Sequence, residues 1–260
     1  MRILWFSLRT SLSLLFQFVL RLSFGLALAM AVTPARWVPA GYYRVHSYVL
    51  LGLNALASLI ALSDPARFPL WPALAGAVLS YAAAVIWLYE KPRPGMVALV
   101  LVAVASITGA WLAQTPVTGS SPAATLLERL DPFSGGLLLG TTMAAMLLGH
   151  WYLTAPTISV TPLSELNWNL GIAAVLRLIL SAVALGIYAE RLGGTSVWIW
   201  LSLRWLAGIV GPLVVCLMVW RILKYRNTQA ATGVLFVGVV LTFIGETTAT
   251  LLYREILAPL

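Results

Sequence analysis

The chain has 260 residues, 61% of them hydrophobic and 9% charged, with a mean hydropathy of +0.94. Soluble domains carry roughly a quarter charged residues, so a water-soluble surface is excluded. The net charge is +8, but the basic residues stand at the ends of apolar runs, where they meet lipid headgroups, and not in the clusters that bind nucleic acid.

Eight apolar runs follow one another: Ser11–Val32, Tyr43–Leu62, Leu70–Tyr89, Met96–Gln114, Phe133–Leu153, Leu166–Tyr188, Val197–Trp220 and Ala230–Leu252. At 1.5 Å per residue each covers ~30 Å of hydrocarbon as a helix. Lipid demands internally satisfied backbone, which favours helices at this length. The expected fold is all-α, a polytopic transmembrane helix bundle of about eight spans, forming one integral membrane domain over residues 1–260. The expected location is a bacterial cytoplasmic membrane.

Residues 1–32 carry Arg2 and Arg9 ahead of the first span and Ala27-Leu28-Ala29-Met30-Ala31 near its end, a pattern that mimics a secretory signal. Arg21 interrupts its apolar core, so a retained helix is expected, or one whose residues 3–20 lie partly in the interface. Turn chemistry separates the spans: Thr33-Pro34-Ala35-Arg36, Ser63-Asp64-Pro65, Lys91-Pro92-Arg93-Pro94-Gly95 and Gly193-Gly194. The longest connection, Thr115–Pro132, contains Glu128, Arg129 and Asp131 and is expected to carry a short interfacial helix over Ala123–Leu130.

An even number of spans puts both termini on one side, here called side A. Arginines flank that side at 2, 9, 67, 129, 191 and 254; side B has Arg36, Arg44, Lys91, Arg93, Arg221, Lys224 and Arg226. The cluster Arg221-Ile222-Leu223-Lys224-Tyr225-Arg226 tips side B toward the cytoplasm.

The two histidines, His46 and His150, fall near side B on antiparallel spans, each about four residues inside its helix end. Gly136, Gly140, Met143, Leu147 and His150 form one stripe of the fifth span, which admits a neighbouring helix or a flat ligand. A b-type haem between the second and fifth spans takes two histidines as axial ligands, with Arg36 and Arg44 near its propionates. Such a subunit exchanges electrons with a quinone or with another membrane or cytochrome subunit. Ordinary interfacial belt histidines explain the same positions. A His2Glu zinc site with Glu165 and a copper site with Met143, Met146 and His150 are weaker alternatives.

Four ionisable residues fall inside spans: Arg21, Arg177, Arg204 and Glu246. Burying them is costly, which marks them as functional candidates. Arg204 and Glu246 lie ~10 Å from side A on consecutive spans and are expected to pair, as a clamp or as a polar site. Arg21 and Arg177 sit deeper, with no carboxylate evident at that depth. These residues suit a transporter for an anion or a proton-coupled solute, with Gly208–Gly211 and Pro212 as helix breakers. A structural subunit of a membrane complex is the third class.

The lone Cys216 precludes an intrachain disulfide, and packing is its expected role. No span carries a lysine for a retinal Schiff base, and neither a GxSxG elbow nor a DxxxD pair occurs. Two histidines are too few for a membrane diiron site.

Overall fold

The computed structural model describes residues 2–114, 122–154, 159–256 and 259, with the side chains of residues 2–10 and 154 outside that description. It is an all-α bundle. The helices are α1 (Arg2–Val32), α2 (Ala40–Ser63), α3 (Leu70–Leu88), α4 (Pro92–Leu112), α5 (Pro122–Thr154), α6 (Thr161–Ile187), α7 (Thr195–Trp205), α8 (Gly211–Leu223) and α9 (Thr228–Ile256). A π-helical segment, Leu206–Val210, joins α7 to α8 so that they form one crossing. Eight segments among the described residues are long and apolar enough to cross a membrane.

α1 lies centrally. It packs on α2 and α4 on one flank and on α5 on the other, and α5 leads on to α6 and α9. The α1–α5 seam is a backbone contact made by glycines. A Cβ on Gly25 would sit 1.7 Å from the Gly136 carbonyl oxygen, and one on Gly140 would sit 2.2 Å from the Gly25 Cα. The smooth part of the fifth-span stripe is therefore filled by α1, not left open for a flat ligand. Small residues let helices approach closely enough for dispersion and Cα–H contacts to bind them.

On the other flank a buried amide joins α1, α2 and α4. Asn54 Nδ2 donates to Ser23 Oγ at 2.7 Å, and Ser106 Oγ donates to Asn54 Oδ1 at 3.2 Å. Gly76 of α3 leaves room for this amide, since a Cβ there would meet Asn54 Oδ1 at 2.4 Å. Between α6 and α8, Asn167 Nδ2 donates to the Cys216 carbonyl at 3.0 Å and Cys216 Sγ donates to the Asn167 carbonyl at 3.3 Å. Cys216 thus serves in packing.

One expectation about α5 needs correction. The stretch from Ala123 to Pro132 is not a separate interfacial helix on a connection; it is the first part of α5, which runs on through Pro132. Residues 115–121 of the expected connection lie outside the described residues. Proline has no N–H and leaves the carbonyl four residues earlier without a helical donor. Side chains at the end of α4 make up the loss. Gln114 Nε2 donates to the Glu128 carbonyl at 3.1 Å, and Trp111 Nε1 donates to the Arg129 carbonyl at 2.9 Å. With the freed Glu128 carbonyl satisfied, the helix continues and carries Asp131 inward.

Candidate functional site

The continuation of α5 completes a buried ionic cluster. Arg21 (α1), Asp131 (α5), Arg177 (α6), Arg204 (α7) and Glu246 (α9) are each no more than 8% exposed. Asp131, Arg177, Arg204 and Glu246 all lie about ten residues from the side-A end of their helices, ~15 Å along the axis. Five helices deliver one charge apiece to a common level.

Arg177 is the hub. Its Nε and Nη2 donate to the two oxygens of Glu246 at 3.0 and 2.9 Å, the bidentate fork that suits guanidinium and carboxylate. Its Nη1 donates to Asp131 Oδ1 at 2.7 Å and to Ser134 Oγ at 3.1 Å. Arg204 Nη1 donates to Glu246 Oε1 at 3.0 Å and Arg204 Nη2 to Ser181 Oγ at 3.2 Å. Arg21 Nη2 pairs with Asp131 Oδ2 at 2.8 Å. The expected Arg204–Glu246 pair is present, and Asp131 is the carboxylate at the depth of Arg21 and Arg177 that the sequence concealed.

Glycines shape the space. A Cβ on Gly135 would meet Glu246 Oε2 at 2.4 Å, so the fork rests on bare backbone. At the π segment, Gly208 meets Gly245 backbone to backbone, and a Cβ on Gly208 would lie 2.5 Å from Arg204 Nη1. The π turn begins two residues after Arg204 and sits beside the ion cluster.

Among the described residues three guanidiniums pair with two carboxylates, a formal excess of one positive charge within that ion-paired set. Glu128, one turn from Asp131 and 7% exposed, forms no ion pair with the three guanidiniums among the described residues, and its buried Oε1 has no hydrogen-bond partner there. Arg21 is the least engaged arginine: its buried Nε finds no hydrogen-bond acceptor among the described residues.

The histidines take different settings. His46 is 5% exposed; its Nδ1 lies 2.7 Å from the Tyr42 carbonyl, and its ring packs on Tyr42 and Trp151. His150 is exposed and turns an edge toward Phe236 of α9, with 6.4 Å between ring centroids. Arg36 is exposed and lies over the Trp37 ring, and Arg44 is half-buried. Glu165 is exposed at the start of α6. Among the described residues no three His, Cys, Asp or Glu side chains come together as a metal site. The His46–His150–Glu165 zinc arrangement is therefore not formed.

No known protein family, curated protein sequence or solved structure matches the chain.

Proposed function

We propose that the chain is an integral membrane transport protein for a small anion, with Arg21 as the substrate-binding residue of a site organised by Arg177. The observation that carries this reading is the excess guanidinium in the buried cluster. A clamp that only holds helices together is served by equal numbers of charges, because an uncompensated buried charge costs several kcal/mol. A bound anion at Arg21 neutralises the cluster. The π segment beside Arg204 supports the same reading: π turns interrupt a helix where function needs it, and broken helices flank the substrate sites of many transporters.

The charge count gives the experiment. Arg21→Gln leaves two arginines and two carboxylates, paired as Arg177–Asp131 and Arg204–Glu246. This variant should fold as well as the parent yet lose anion flux at least tenfold. The assay is uptake of radiolabelled chloride, phosphate and acetate by proteoliposomes. A parent protein that moves none of the three, or an Arg21→Gln variant that moves them at the parental rate, overturns the proposal.

A second reading keeps the b-type haem between α2 and α5, with His46 and His150 as ligands and a quinone or partner cytochrome subunit as electron partner. The observation in its favour is that side chains of the two helices meet at this level: Tyr42 donates to the Ala144 carbonyl at 3.3 Å, and Trp151 lies against both Tyr42 and His46. It requires His150 to turn from Phe236 toward His46. A Soret band that shifts on dithionite reduction and disappears in both His46→Ala and His150→Ala supports it, and a colourless preparation from haem-replete cells ends it.

A further inference from the structure

From the buried cluster toward side A runs a set of polar groups that the ion pairs do not use. Gln17 Oε1, Arg21 Nε, Glu128 Oε1 and the Tyr188 hydroxyl are buried, and none has a hydrogen-bond partner among the described residues. The residues that bear them are each no more than 8% exposed. The glutamine and glutamate oxygens accept, Arg21 Nε donates, and the tyrosine hydroxyl can do either. Folded proteins pair nearly all such atoms, with water where no protein group serves. Orphans gathered in one region therefore mark a place that takes up water or a polar guest.

These groups continue the helix faces that carry the cluster. Gln17 precedes Arg21 by one turn on α1, and Glu128 precedes Asp131 by one turn on α5, each toward side A. Tyr253 follows Glu246 by two turns on α9, and Tyr188 closes α6 about three turns beyond Arg177. Such spacings keep residues on one face of a helix. Tyr253 interacts electrostatically with Glu128, Asp131, Tyr188 and Arg21, which gathers the four around it. Tyr188 interacts with Glu128 and with Arg191, whose guanidinium lies 4.9 Å from the Tyr188 ring centre. The charged or titratable neighbours of Glu128 are thus Arg21 on α1, Asp131 on its own helix, Tyr188 and Arg191 at the end of α6, and Tyr253 on α9. α4 meets it through Gln114, whose amide bonds the Glu128 carbonyl at 3.1 Å. Arg129 is exposed, and Arg204, the ionisable residue of α7, is bonded to Glu246.

Charge decides what the guest is. The ion-paired set carries one excess positive charge, and an anion at Arg21 cancels it. Glu128 is then a buried carboxylate with no counter-charge left over and one oxygen without a donor, an unfavourable state. A proton on Glu128 relieves it. The same proton removes the repulsion that a carboxylate exerts on an anion arriving from side A, and it supplies an O–H that can donate to that anion. We infer that Glu128 is a proton-binding site and that each anion taken at Arg21 is accompanied by one proton, so that the two cross in the same direction with no net charge. Gln17, Tyr188 and Tyr253 line the wet route by which both arrive from side A. This inference rests on the reading of Arg21 as the anion-binding residue and adds the coupling ion to it.

The test uses proteoliposomes of the full chain with radiolabelled chloride or monovalent phosphate outside, a pH gradient acid outside, and the voltage held near zero with potassium and valinomycin. The parent should accumulate the anion roughly tenfold for each unit of pH, the ratio that one-to-one coupling sets. Glu128→Gln imitates the protonated acid and cannot release the proton. It should let the anion run downhill only, and its flux, unlike the parent's, should respond to an imposed voltage. Comparing the two cancels the titration of phosphate itself. Glu128→Asp keeps the acid and should restore part of the accumulation, and Glu165→Gln, at an exposed carboxylate on side B, should leave it whole. A parent that moves anion but does not accumulate it in the gradient overturns this inference and leaves the Arg21 reading standing; a parent that moves none overturns both. Accumulation by Glu128→Gln, or loss of all flux in a folded Glu128→Gln, also overturns the inference. If that variant does not fold, the parent decides alone: a monovalent anion with one proton carries no net charge, so a parental flux that follows voltage overturns the coupling.

Discussion

Among single residues, Glu246 bears the greatest electrostatic weight, because its two oxygens take bonds from both Arg177 and Arg204. Glu246→Gln keeps the shape but leaves three guanidiniums facing one carboxylate. It should cost about 3–5 kcal/mol, the usual penalty for stranding a buried charge. Arg21→Gln, which brings the same cluster to neutrality, should cost far less. Comparing the two by denaturant unfolding in detergent measures the imbalance directly; equal losses would mean the excess charge is compensated elsewhere. Gly135→Ala is a steric probe of the same fork. Its Cβ would lie 2.4 Å from Glu246 Oε2, so the carboxylate must move, and a loss of about 1–3 kcal/mol is expected. The Arg204–Glu246 pair was readable from sequence because consecutive spans placed opposite charges at matched depth. Asp131 was not, because Glu128, Arg129 and Pro132 beside it look like the end of a connection.

At the scale of one helix, α5 shows how a proline is carried through a buried segment. The Glu128 carbonyl freed by Pro132 is satisfied by Gln114, and Trp111 bonds to the next carbonyl, that of Arg129. Gln114→Ala should therefore cost about 1 kcal/mol in the parent, the usual net worth of such a bond. In a Pro132→Ala background, where the helix can supply its own donor, the same change should cost almost nothing. A double-mutant cycle on unfolding free energies checks this coupling; additive losses would refute it. This compensation depends on residues from another helix, and so no local pattern around 132 could reveal it. The glycine stripe at 136 and 140 was legible as a place of close approach. That its occupant is α1 was not, because only the partner's own Gly25 makes the approach possible.

For the whole molecule, the order of the eight crossings puts the 64–69 turn and the end of α9 on one side and the turn after α8 on the other. The basic cluster at residues 221–226 predicts that the latter side faces the cytoplasm. In a Cys216→Ser background, Ala66→Cys should react with a membrane-impermeant maleimide on intact cells and Tyr225→Cys only after lysis; the reverse pattern inverts the orientation. Both sites are exposed, Tyr225 at 86%. The number of crossings could be read from hydropathy alone, since each apolar run exceeds the length a bilayer demands. Which helices touch could not, because the contacts are set by small and polar residues scattered across the chain.

The ionic cluster draws on the first helix and the last, and this has a bearing on biosynthesis. Arg21 leaves the ribosome long before Asp131 exists, and Arg177 and Arg204 both precede Glu246. During synthesis Arg21 must therefore wait in the insertion machinery, at the interface or beside water until Asp131 arrives, and Arg204 until Glu246 arrives, while Arg177 has Asp131 at once but lacks the Glu246 fork. The last helix then acts as a checkpoint on completion: a chain cut short after α8 keeps both Arg177 and Arg204 but lacks the acid they share. Such a truncation should be cleared by membrane proteases much faster than the full chain, and pulse-chase labelling of the two would show it. The same charges that tie the finished bundle together would mark the unfinished one for removal.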